Sequence, residues 1–168
     1  MRRGLLWTAV IIVALVLQST VFAQITLLKA RPDLIYLLTI LVALLEGPAS
    51  GAVVGFAGGM AEDFLLNAPK GITALSLTLL GYSIGMVRQY IVSPSALVPV
   101  IMVFGGTVVG LMFNGLVKFL LGQLDTGWGY QLQIALLTGL YNAILTPIVF
   151  PLVRRLAESS RAKRVFRW

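Results

Sequence analysis

The chain contains no cysteine and no histidine among its 168 residues. Those two absences remove disulfide frameworks, thiol nucleophiles, imidazole bases, Cys/His zinc sites and the usual haem ligands. Charge is scarce as well: 11% of residues are charged and only six are acidic, against about 25% charged in an ordinary soluble domain. There is no phosphate-binding glycine loop, no GxSxG elbow and no HExxH helix, and no second acidic motif to hold Mg²⁺ against a phosphate. Nothing in the sequence supplies a nucleophile, a resident metal or a cofactor, so an enzyme is not expected. What is abundant is apolar: 58% of residues are hydrophobic and the mean hydropathy is +0.95. A soluble domain of about 150 residues leaves close to a third of its unfolded-chain surface in water, and this composition would put oily side chains there. The expected solvent is lipid.

The apolar residues fall into six runs. The first, residues 4–28, is interrupted only by Gln18, Ser19, Thr20 and Gln24, and at about 1.5 Å per residue it can cross a hydrocarbon core of roughly 30 Å. Arg2 and Arg3 followed by an apolar stretch and Val21-Phe22-Ala23 also fit a cleaved signal peptide, but the apolar character continues past that point, and a retained helix is the preferred reading. Residues 34–45 form a short, almost purely apolar segment, closed by Glu46-Gly47-Pro48 and either spanning or re-entrant. Residues 49–66 follow as a glycine-studded helix, ended by Asn67-Ala68-Pro69-Lys70-Gly71. The last three runs are 72–91, 96–121 and 130–153, the last carrying Pro147, which removes a helix hydrogen bond. The fold class expected is an all-α integral membrane protein, one transmembrane domain with a six-helix bundle and a basic tail at 154–168.

The net charge of +7 comes from 13 basic residues, eight of them at the two ends: Arg2 and Arg3, then Arg154, Arg155, Arg161, Lys163, Arg164 and Arg167. Basic residues flanking apolar spans report cytoplasmic orientation and attraction to anionic lipid, and no nucleic-acid partner is expected. An even number of crossings puts both tails on the cytoplasmic side of the membrane.

Small and polar residues recur at four-residue spacing, which places them on one helix face. Gly47, Gly51, Gly55 and Gly59 form such a row, with Asp63 at the next step. Glycine costs roughly 1 kcal/mol of helix propensity relative to alanine, so a row of four marks a face where another backbone comes close, either within the chain or in a homodimer. Gly106, Gly110, Asn114 and Lys118 repeat the spacing in the fifth run, Thr138, Asn142 and Thr146 in the sixth, and Gly81 with Gly85 in the fourth. Asn114, Asn142 and Thr146 are accordingly the expected polar interior face. Asp63 and Lys118 lie at similar depth, three residues from the ends of their runs, and an unpaired charge there is costly. They are the expected ion pair.

Five motifs in order resemble a known family: Gln18-Ser19-Thr20, Arg31-Pro32-Asp33-Leu34, residues 55–63, Gly71-Ile72-Thr73-Ala74-Leu75 and Leu80-Gly81-Tyr82. Together they resemble the bacterial rod shape-determining MreD family over roughly the first half of the chain, with Arg31, Pro32, Asp33, Asp63 and Gly71 as the motif positions. Glu62 departs from the pattern, since many relatives have an apolar residue there. The resemblance implies a non-enzymatic membrane subunit of the cell-wall elongation complex, the elongasome, regulating peptidoglycan synthesis and cell shape. It implies as partners MreC and RodA with its class B penicillin-binding protein, and indirectly the actin-like MreB. It also implies a fold similar to the six-helix substrate-binding subunits of energy-coupling-factor transporters. The six-helix plan with buried polar faces suggests a second reading, a small-molecule, vitamin-type binding subunit of a transporter.

Overall fold

The computed structural model describes residues 2–20, 30–65, 71–91, 97–123 and 126–162. They form six α-helices: α1 (Arg2–Thr20), α2 (Leu34–Glu46), α3 (Pro48–Leu65), α4 (Ile72–Val87), α5 (Leu97–Leu120) and α6 (Trp128–Ala162), with a 3-10 turn at Arg88–Tyr90 after α4. No strand forms among the described residues. The end of the first apolar run, including the Val21-Phe22-Ala23 stretch and Gln24, lies outside the described residues.

Helix α2 is the centre. All ten residues from Leu34 to Ala43 are buried, and α2 packs against each of the other five helices. A helix apolar all round buries every face only by being surrounded. At 13 residues and about 1.5 Å per residue it is about 20 Å long, a core helix inside a sheath of longer ones.

Packing partners fix the helix directions. Gly51, Gly55 and Gly59 of α3 meet Gly81, Leu77 and Ala74 of α4, so the two run antiparallel. Ala43, Thr39 and Ile35 of α2 meet Gly51, Gly55 and Gly58 in the same reversed order. On α5, Gly106 faces Ile84 and Ile40, while Gly110 faces Leu80 and Tyr36, so α5 opposes both α2 and α4. Gln131 meets Gly115 and Gly139 meets Phe104, reversing α6 against α5. Odd helices therefore point one way and even helices the other.

The outside of the bundle is apolar. Ile12, Val16, Val53, Phe56, Ile101, Val109, Leu140, Ile144 and Ile148 are each more than half exposed. Helices α5 and α6 are long and apolar enough to cross a membrane, at 24 residues for Leu97–Leu120 and 32 for Trp128–Ser159. Such a surface is costly in water and ordinary in lipid.

Two boundaries correct the sequence expectations. Gly47 does not belong to the α3 row: it caps α2 at φ +101°, and a methyl on it would meet only the Arg88 guanidinium at 3.7 Å. Helix α6 does not end at Val153 but runs through Pro147 and Pro151 to Ala162, carrying the first basic residues of the tail on helix. Arg154 pairs there with Glu158 one turn on, N to O 2.7 Å.

Candidate functional site

Most of the buried polar side chains gather around the starts of α2 and α4, reached from the ends of α1 and α3 and from the middle of α6. Helix starts there expose N–H groups that have no partner inside the helix. In an apolar surrounding each must find an acceptor from elsewhere.

Helix α2 is capped locally. Asp33 is its N-cap, and Oδ1 accepts the N–H groups of Ile35 and Tyr36, both at 3.1 Å. The third N–H, from Leu34, donates to Gln18 Oε1 of α1 at 3.0 Å, and Gln18 Nε2 in turn donates to Glu62 Oε1 of α3 at 3.2 Å. The backbone of Asp33 is held from α6: its N–H donates to Asn142 Oδ1 at 3.0 Å, and its carbonyl accepts from Asn142 Nδ2 at 2.9 Å. Asn142 Nδ2 also reaches Thr107 Oγ1 at 3.2 Å, and Thr146 Oγ1 donates to the Asn142 carbonyl at 2.7 Å. Asp33 lies before the first residue of α2, and burial raises its carboxyl above the ordinary value to about 6, opposed by the N–H groups of Tyr36 and Ile35. Pro32 is buried, and Arg31 is exposed.

Helix α4 is capped remotely. Its own N-cap residue is Gly71 at φ +99°, in the left-handed region that favours glycine, and it has no side chain to offer. Asp63, fully buried on α3, supplies the acceptor. Oδ2 takes the N–H groups of Gly71 at 2.8 Å, Thr73 at 3.1 Å and Ala74 at 3.3 Å. Asn114 of α5 completes this end by donating to Thr73 Oγ1 at 3.3 Å and Ser76 Oγ at 3.5 Å.

This sets Asp63 against the start of α4, where the sequence reading expected an ion pair with Lys118. Among the described residues the ion pair within 4 Å is Arg154 with Glu158, whereas Asp63 is engaged by three backbone donors. A helix N-terminus carries the positive end of the macrodipole together with free N–H groups, and the Gly71 turn brings both to Asp63. Lys118, in the last turn of α5, is only partly buried and keeps solvent contact. Charge exchange therefore separates the two arrangements. Asp63→Lys is expected to be strongly destabilising, Lys118→Asp mild, and the double exchange no better than Asp63→Lys alone. Recovery in the double variant, read as thermal stability in detergent, would restore the ion pair.

Of the other expected residues, Asn114, Asn142 and Thr146 are all buried, at 4%, 0% and 1% exposure. Gly51, Gly55 and Gly59 lie where α3 meets α4. A methyl on Gly51 would stand 2.6 Å from Ala43 Cβ and 2.7 Å from the Gly81 carbonyl oxygen. On Gly59 it would stand 2.6 Å from Ala74 Cα. That face is filled within the chain. Sequence reasoning placed Gln18 and Asp33 in motifs without seeing their work; Asp33 three residues before Tyr36 was a legible N-cap signature, but the Gln18 bridge between three helices had no local signal.

Residues 1–156 match the family described as rod shape-determining protein MreD. The chain belongs to this family. Its role is therefore in the determination of rod shape, and the MreD family is membrane-associated, in accord with the two apolar helices long enough to span. The match extends across the second half of the chain, well beyond the motifs that carried the resemblance. Neither the curated proteins nor the solved structures give a match. The capped helix ends thus belong to an MreD-family protein: Asp33 and Asp63 accept the first N–H groups of α2 and α4, and Gly71 is the N-cap residue of α4.

Proposed function

We propose that this chain is a non-enzymatic scaffold of the cell-wall elongation complex, binding MreC and the pair of RodA and its class B penicillin-binding protein, with MreB engaged indirectly. In this reading it is a multi-pass protein of the cytoplasmic membrane, a six-span bundle of the plan found in energy-coupling-factor binding subunits. Both termini are cytoplasmic, and the basic tails lie on anionic lipid. The observation that carries the reading is the division of labour between inside and outside. Asp33, Asp63, Asn114 and Asn142 are turned inward onto helix ends, while the outer surface presents apolar side chains. A rigid bundle with apolar flanks suits recognition of other transmembrane helices, which depends on close packing in lipid. The alternation of helix directions supports an even number of crossings.

Affinity purification of the tagged chain from membranes, followed by mass spectrometry, tests the function. A scaffold brings down an MreC-like single-span protein and the synthase pair; a transporter subunit brings down an ATPase module or a vitamin-sized ligand. Reporter fusions after Trp168 and within residues 122–129 should read opposite sides of the membrane, and a periplasmic C-terminus would overturn the topology.

A further inference from the structure

A cavity of about 380 Å³ opens at the capped end of the bundle, within the range of about 300–1,000 Å³ typical of small-molecule sites. Gln18, Asp33, Glu62 and Thr138 line it together with apolar walls such as Leu111, and exposed Arg31 borders it. Glu62 is only 6% exposed, and among the described residues its buried Oε2 has no hydrogen-bond partner.

That atom needs a partner whichever way Glu62 is protonated. Gln18 Oε1 must accept the Leu34 N–H, which turns the Gln18 amide NH₂ toward Glu62 Oε1. A charged carboxylate then leaves Oε2 as an acceptor with no donor, and a neutral one puts its proton on Oε2 with no acceptor. Either state is costly when buried. Asp33 lines the same cavity and uses only Oδ1 on the α2 start among the described residues. Two acidic side chains and Thr138 therefore line one space.

We propose that this cavity binds a primary ammonium group, with Arg31 receiving an anionic group a few atoms away on the same molecule. An ammonium is compact and carries three N–H donors, matching the three oxygen-bearing side chains Glu62, Asp33 and Thr138. A divalent cation fits less well, since Ca²⁺ takes six to eight oxygens and Mg²⁺ a near-octahedral set, and no cluster of three or more metal-ligating residues forms among the described ones. Ammonium and anion together describe ethanolamine phosphate, which occurs free and as a phospholipid headgroup. The site is independent of the scaffold reading, because it rests on Glu62 and not on any contact with a partner.

The test compares ethanolamine with choline, whose quaternary nitrogen has the same charge and no N–H donor. The purified full chain in detergent is titrated with O-phosphoethanolamine or phosphocholine and followed by thermal unfolding. In parallel it is placed in nanodiscs of phosphatidylethanolamine or phosphatidylcholine, and retained lipid is read by native mass spectrometry. Stabilisation by free O-phosphoethanolamine but not phosphocholine establishes the soluble source. Selective retention of phosphatidylethanolamine without a free-ligand effect establishes the lipid source. Glu62→Gln should weaken either preference at least tenfold. If that variant does not fold, the wild-type comparison still decides. No ethanolamine preference in either arm, or a preference undiminished in folded Glu62→Gln, overturns the proposal and leaves water as the partner of Oε2.

Discussion

Gly55→Leu is expected to prevent assembly of a stable bundle, whereas Gly105→Leu leaves stability close to the starting protein. The first Cβ at position 55 would fall on the Leu77 carbonyl of α4, with the carbonyl carbon at 2.7 Å and Thr39 Cγ2 at 3.0 Å on the other side. Overpacking a core against side chains costs about 1–3 kcal/mol. Here the obstacle is helix backbone, which cannot rotate away, so α3 and α4 must separate and the cost exceeds that range. A net stability of about 5–15 kcal/mol cannot absorb much of this. Position 105 has nothing within 4 Å of its Cβ direction, and leucine there also removes a poor helix former. Monodispersity after detergent extraction and the unfolding midpoint distinguish the two. Rescue of rod shape in cells lacking their own MreD-family protein gives the functional readout. Equal midpoints for the two variants would show that the α3–α4 approach is looser than the structure has it.

Asp63→Ala is the second large effect expected, a loss of about 3 kcal/mol or more. The substitution removes the acceptor of three N–H groups at the start of α4, and each buried donor left unmade costs about 1–3 kcal/mol. Partial recovery by fraying of the first turn lowers the sum, since water or a shifted backbone can reach some of them. Asp63→Asn keeps an acceptor oxygen but loses the interaction of negative charge with the helix N-terminus, worth about 0.3–1 kcal/mol when exposed and up to ~2 when partly buried. The expected order of unfolding midpoints is therefore Asp63, then Asn, then Ala. Hydrogen exchange at residues 71–75 should accelerate in the same order. A variant pair with equal midpoints would show that the α4 start does not depend on this side chain.

Both effects act through helix contacts that the sequence only half revealed. The four-residue spacing of Gly51, Gly55 and Gly59 told which face of α3 is bare, because the period of a helix is independent of its surroundings. It could not tell what fills the face, since several neighbours satisfy the same absence of side chains, and the filling by α4 also took the face from any second copy of the chain. Gly47 shows the limit of spacing alone. It continues the row in number, but Pro48 starts a new helix, and the φ of +101° at Gly47 ends the previous one.

Composition by itself determined the apolar character of the chain and the absence of thiol and imidazole chemistry, because these follow from counts, while the lengths of the apolar runs pointed to helices. Motif order pointed to the family that the match over residues 1–156 shows. Only the tertiary structure decided that the short second segment is the central helix, since a segment apolar on every face does not say how many neighbours surround it. Only the structure decided what Asp63 binds. A buried acid must find positive potential or N–H donors, and a sequence lists its candidate cations but not the free ends of helices. Those ends become available when the chain turns at Gly71 and sets the start of α4 against α3, three donors closer to hand than Lys118.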